Sequence, residues 1–75
     1  MKILDKEIKL NDVVTIGYLN KNNYWLISTG RVYNWDDKYL YLDISDELVT
    51  LDETIRIQKN KIKYLTITMN TNLWR

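Results

Sequence analysis

From Val13 onward the chain runs as short stretches of β-branched and aromatic residues, each closed by a cluster of Asn, Asp, Lys or Ser. Such segments are too short and too rich in Val, Ile, Thr, Tyr and Trp for helices, and their period is two. Val13 to Leu19 reads as a strand with Val14, Ile16 and Tyr18 on one face, and Asn20-Lys21-Asn22-Asn23 as a turn, because Asn tolerates positive φ. Tyr24 to Trp35 is a second, long strand carrying Gly30 in its middle, where a missing side chain permits a sharp bend or bulge. Tyr39 to Ile44, Leu48 to Leu51, Thr54 to Gln58 and Tyr64 to Met69 follow as strands. Asp52-Glu53 suits one 3₁₀ turn, and Lys59-Asn60-Lys61 is a further turn. Ahead of the first strand, Leu4 and Ile8 lie one helical turn apart while Ile8 and Leu10 alternate; a short N-terminal helix or turn is expected there. The fold expected is all-β, a small and strongly bent barrel of five to six antiparallel strands.

Hydrophobic alternation sets the register of the second hairpin. Pairing Val32 with Leu42 keeps Val32, Leu40 and Leu42 inside, sets Tyr33 opposite Tyr41, Trp35 opposite Tyr39 and Arg31 opposite Asp43, and leaves Asp36-Asp37-Lys38 as the loop. The outward face then carries an aromatic ladder, Tyr33, Trp35, Tyr39 and Tyr41, ending in an ion pair. The inward set expected is Val14, Ile16, Val32, Leu40, Leu42, Leu51, Ile55, Ile57 and Leu65.

Length and composition narrow the function classes. The 75 residues suffice for one domain, 1–75, with a core over 12–58 and an extension strand within 59–75. The chain has no Cys and no His, which removes thiolate metal sites, disulfides, the commonest zinc ligand and the commonest general base near neutrality. No metal and no cofactor is expected. Ser28, Ser45 and the threonines have no His or Cys to make a nucleophile–base pair, and no glycine-rich phosphate loop is present, so the chain reads as a non-enzyme. A net charge of +1 gives no bulk attraction to nucleic acid or anionic membrane. No apolar run approaches the roughly 18 residues of a membrane span. The acidic, interrupted start is unlike a signal peptide. A cytoplasmic location follows as an expectation. The richness in Ile, Asn, Lys and Tyr suits an AT-rich genome.

The runs Val14-Thr15-Ile16-Gly17-Tyr18, Thr29-Gly30-Arg31-Val32, Tyr39-Leu40-Tyr41-Leu42-Asp43 and Val49-Thr50-Leu51-Asp52-Glu53-Thr54-Ile55-Arg56-Ile57 together resemble the YolD-like proteins, small proteins of low-GC bacteria and their phages. The resemblance covers roughly residues 12–58. It implies an SH3-like or Sm-like barrel and a loose association with DNA repair or mobile elements, and it implies no particular chemistry.

The candidate site residues are those of the aromatic hairpin face: Tyr33, Trp35, Tyr39 and Tyr41 as anchors, Arg31 and Lys38 as polar rim. Tyr and Trp are enriched in interaction hot spots, and cross-strand aromatic pairing is the structural use of the same rings. Lys59, Lys61 and Lys63 alternate and would form a basic stripe on one strand face, contacting phosphate or simply keeping a sheet edge soluble. Asp36-Asp37, Asp46-Glu47 and Asp52-Glu53 read as solvated turns. The function expected is a non-catalytic protein-interaction module, of phage or mobile-element origin, binding a host or self protein through the aromatic face. Alternatives are a barrel that stacks single-stranded nucleic acid on the same rings, and a structural subunit, a homo-oligomer assembling through sheet edges.

Overall fold

The structure, a computed structural model, describes residues 1–44 and 53–69. Its elements in chain order are strands β1 (Lys2–Ile3), β2 (Lys6–Glu7), β3 (Val13–Leu19), β4 (Trp25–Trp35), β5 (Tyr39–Asp43) and β6 (Thr54–Gln58), a 3₁₀ turn (Lys59–Lys61) and strand β7 (Ile62–Met69). The strands expected at Val13–Leu19 and Thr54–Gln58 form with those bounds. The strand expected at Leu48–Leu51, the inward Leu51 and the turn at Asp52 lie outside the described residues.

β3 to β7 form one antiparallel sheet in the order β6-β5-β4-β3-β7. β4 serves two neighbours in turn: Trp25–Arg31 pairs with β3, and the Arg31–Trp35 half pairs with β5. The exchange falls at Gly30, whose backbone does not have positive φ. What Gly30 provides is close approach: a Cβ there would stand 2.6 Å from Ile44 Cγ2 and 2.8 Å from the Asp43 carbonyl oxygen.

The turn between β3 and β4 is built from Asn side chains. Asn20 Oδ1 accepts from the backbone N–H of Asn22 and Tyr24, and Asn23 takes φ 63°. At the N-terminus, where a short helix or turn is expected, the structure forms the turn, inside a two-stranded hairpin. Lys2 pairs with Glu7 and Ile3 with Lys6 across a tight turn whose central residues, Leu4 and Asp5, have φ 51° and 65°. Two positive φ values in succession give a primed turn, whose twist matches a hairpin. The hairpin drops Ile3 and Ile8 into the core, which the one-turn spacing of Leu4 and Ile8 concealed; Leu4 is exposed. Lys6 Nζ donates to the Leu65 carbonyl and pins the hairpin to β7.

The core consists of Ile3, Ile8, Val14, Ile16, Val32, Leu40, Leu42, Ile57, Ile62 and Leu65, with Tyr18, Trp35, Ile44, Ile55 and Ile67 half-buried against it. Ile62 was hidden from a period-two reading because it stands three residues from Leu65. A bulge resolves the parity: Gly17 pairs with Tyr64 and Tyr18 with Ile62, and Lys63 is passed over. Asp12 is also buried; its Oδ2 accepts from Lys9 N–H, and its carbonyl accepts from Val32 N–H, tying the N-terminal segment to β4. Among the described residues no helix is long and apolar enough to cross a membrane.

Candidate functional site

The second hairpin departs from the expected register at its tip. Arg31 pairs with Asp43 and Val32 with Leu42 as expected, but then Asn34 pairs with Tyr41 and Trp35 with Leu40. One extra residue is accommodated on β4 as a bulge at Tyr33–Asn34, and the turn closes more tightly, with Asp36 N–H donating to the Tyr39 carbonyl at 3.0 Å. Beyond the bulge the faces of β4 exchange. Trp35, expected outside with the tyrosines, packs against the core beside Leu40. Asn34 Oδ1 accepts from Trp35 N–H at 2.9 Å within the bulge.

Tyr33, Tyr39 and Tyr41 do gather on the outward face. Tyr33 and Tyr41 ring centroids are 6.1 Å apart and those of Tyr39 and Tyr41 6.3 Å, both tilted, within the range of favourable aromatic pairs. The Arg56 guanidinium lies 4.6 Å from the Tyr39 ring centroid. Arg31 reaches Asp43 Oδ2 at 3.2 Å and Asn11 Oδ1 at 3.2 Å. Asp36 organises the tip: Oδ1 accepts from Lys38 and Tyr39 N–H, and Oδ2 accepts from the Tyr41 hydroxyl at 2.7 Å. The Tyr41 hydroxyl, followed by those two N–H groups, holds the Asp36 carboxyl below the usual carboxylate range, and the same bond pushes the Tyr41 phenol up. These rings therefore spend much of their surface on one another.

The more open apolar surface lies on the other half of β4. Tyr24, Trp25, Leu26 and Ile27 are four consecutive exposed residues; Trp25 is 61% and Ile27 76% exposed. Trp25 and Ile27 share the outward face, paired with Leu19 and Gly17 of β3, and Tyr64 of β7 pairs with Gly17 from the opposite side. Gly17 is the floor of this patch. A Cβ there would come 3.2 Å from Tyr64 Cβ and 3.6 Å from a Trp25 ring carbon. Beside the patch, Thr15 and Thr29 share a hydroxyl hydrogen bond of 2.8 Å. Among the described residues this stretch of β4, up to Gly30, has a strand neighbour only on its β3 side. Sequence patterning passed over the patch because alternation places Leu26 and Ser28 inward with Tyr18 and Ile16. The signal available was four apolar residues in a row directly after a turn, on a strand too long for its hairpin partner.

The basic stripe is not a strand face. Lys59 and Lys61 stand in the 3₁₀ turn, and Lys63 is the residue passed over by the β7 bulge. The threefold repeat of a 3₁₀ turn, followed by a bulge, breaks the alternation on which the stripe depended. Lys38 N–H is held by Asp36 in the hairpin tip, and the Lys38 carbonyl accepts from Lys59 N–H. Ser28 Oγ shares a hydrogen bond with the Tyr18 hydroxyl at 3.2 Å. Among the described residues no three His, Cys, Asp or Glu side chains gather as a metal site would require.

Comparison of the chain with family models, with curated proteins and with solved structures gave no match.

Proposed function

We propose that the chain is a non-catalytic protein-interaction module with a small SH3-like barrel fold, and that it docks an extended segment of a partner protein along the half of β4 that pairs with β3 alone among the described residues. The barrel reading is supported by connectivity. β6 and β7 are the two outer strands of a five-stranded sheet, yet only the residues 59–61 join them. Laid flat, the outer strands of such a sheet would stand about 19 Å apart. Three residues of 3₁₀ helix carry the chain only about 6 Å. The sheet must curl until its edges approach. A long β4 changing partners at Gly30 fits the same curl. Kinship with the YolD-like proteins belongs to this proposal.

The observation that carries the docking reading is the run Tyr24 to Ile27: four exposed apolar side chains at the start of β4, where among the described residues the strand is paired on its β3 side only. Natural sheets blunt such edges with charge or proline, and this one carries neither. An added strand would take its backbone hydrogen bonds from the edge and its side-chain contacts from Trp25, Ile27 and Tyr64. The test is isolation of the partner from the native host with the parent chain and with Trp25→Ala and Ile27→Lys as baits. Both variants should lose one partner that Tyr33→Ala retains, with amide exchange of residues 25–28 slowed in the complex. Trp25→Ala should weaken binding by about 2 kcal/mol or more if it is an anchor, and leave the fold intact. Loss of the partner on Tyr33→Ala alone would move the site to the hairpin tyrosines. A second copy of the chain as the only partner would favour assembly through the edge.

A further inference from the structure

A second surface begins at the β3–β4 turn next to that edge and is built from other residues. β3 and β6 are separated in the sheet by β4 and β5, but Tyr18 and Asn20 at the end of β3 and Arg56 and Gln58 of β6 line one open cleft of about 450 Å³. That size lies within the usual range for small-ligand sites. Lys21 enters it from the β3–β4 turn and Lys61 from the 3₁₀ turn. Three cations from three separate elements thus converge where, among the described residues, no carboxylate lines the wall. Among the described residues the ion pairs are Met1–Glu7 and Arg31–Asp43, and Lys21, Arg56 and Lys61 belong to neither. A neighbouring depression adds Lys38 and Lys59. Five of the chain's 11 basic residues therefore crowd one end of a protein whose net charge is +1. Among the described residues the carboxylates at this end are Asp37, beside Lys38 and Lys59, and Asp36, which is engaged by the Tyr41 hydroxyl, two backbone N–H groups and the charge of Lys59; neither lines the cleft itself. Gathering like charges raises the local positive potential, and an anion placed between them relieves the repulsion.

We propose that this cleft binds the phosphate of a nucleotide, with Lys21, Arg56 and Lys61 as its cationic ligands and the base lying against Tyr18, Tyr39 and the Arg56 guanidinium. The ring and amide content selects a nucleotide over a bare anion. Tyr39 lines the cleft with Arg56 stacked on it, which presents a planar cation as well as a ring. The Gln58 carboxamide lies in the same wall, where it can pair with a base edge. Asn20 has its Oδ1 occupied by the turn and keeps its Nδ2 as a donor. The nucleotide can come from a single strand or free in solution; the chemistry recognised is the same.

The experiment is titration of the ¹⁵N-labelled protein with a short oligothymidylate, with adenosine monophosphate, with inorganic phosphate and with a phosphoserine peptide. The expected result is amide shifts confined to residues 18–21, 39 and 56–61, with oligothymidylate or adenosine monophosphate binding more tightly than inorganic phosphate or the peptide. Which of the two binds more tightly identifies strand or free nucleotide as the source. For a strand, the logarithm of affinity should fall against that of salt by about 0.7 for each phosphate neutralised. Arg56→Gln and Lys61→Gln should each weaken binding by about tenfold or more. Lys63→Gln should leave it unchanged, and thermal midpoints should report whether each variant folds. Should Arg56→Gln unfold, Lys21→Gln on the exposed turn carries the same test. Equal affinity for phosphate and nucleotide, preference for the phosphopeptide, shifts centred on Trp25 and Tyr64, or no shifts at millimolar ligand would each overturn the proposal.

Discussion

Gly30 and Gly17 show two uses of a missing side chain that have nothing to do with left-handed backbone. At Gly30 the space is taken by the end of β5: the Asp43 carbonyl and Ile44 Cγ2 stand where a Cβ would be. Backbone cannot yield as a flexible side-chain tip can, so Gly30→Ala should destabilise by about 1–3 kcal/mol, read as a lower urea midpoint. At Gly17 the neighbours are Tyr64 Cβ and the Trp25 ring, which can move a few tenths of an ångström. Gly17→Ala should therefore leave stability within about 1 kcal/mol of the parent while shifting the Trp25 and Tyr64 rings, so its effect belongs in partner binding. Leu42 is fully buried between its cross-strand partners Val32 and Ile55, and Leu42→Ala should cost about 2–5 kcal/mol, a large share of what so small a domain possesses. Leu42 as core was readable from alternation, whereas Gly30 was readable as a bend or bulge; the bulge falls at Tyr33–Asn34, and Gly30 is a point of close approach to the end of β5. The role of Gly17 was not, because a glycine's neighbours on adjacent strands depend on register.

At the scale of elements, the β1–β2 and β4–β5 turns close their hairpins by different chemistry. The β1–β2 turn places Leu4 at φ 51°, a conformation that Asn tolerates and Leu does not. Leu4→Asn should stabilise the protein by up to about 1 kcal/mol, measured as a raised thermal midpoint, since the Leu4 side chain is exposed and little packing is lost. The β4–β5 turn rests on Asp36. Its folded pKa lies below the ordinary value of 3.8, so the stability it contributes is present above that ordinary value and is lost as pH falls through the folded pKa. Tyr41 has the opposite sign: its pKa is raised above 10.0, so its contribution is present below that pH and is lost as pH rises through the folded value. Asp36→Asn should remove this share of the acid dependence, and Tyr41→Phe should shrink both limbs, in urea midpoints followed from acid to alkaline pH. An unchanged acid limb in Asp36→Asn would mean that the bond does not persist in solution. The bulge at Tyr33–Asn34 is the other decisive element-scale feature. It turned Trp35 from the outer face toward the core, where it packs half-buried.

At the scale of the whole molecule, the N-terminal hairpin closes one end of the sheet. Ile8 is fully buried and the hairpin is tied to β7 through Lys6. Ile8→Ala should cost about 2–5 kcal/mol, as a core substitution does, although period-two patterning assigns Ile8 to no inward face. The amino-acid sequence is enough to read the chain as all-β, to place most of the described strands and to pick most of the inward residues, because strand propensity, turn chemistry and alternation act over neighbouring positions. It also determined the chemistry on offer, with no imidazole and no thiol. Tertiary structure alone decided which exposed residues stand together. A single extra residue at Tyr33–Asn34 reverses the faces of β4 beyond it, and another at Lys63 aligns Ile62 with Leu65; whether a strand absorbs such a residue depends on the fit to its partner strands. Trp25, Ile27 and Tyr64 meet over Gly17, and Lys21, Arg56 and Lys61 meet at one cleft, because strands distant in the chain are paired or curled together. No local pattern encodes that meeting.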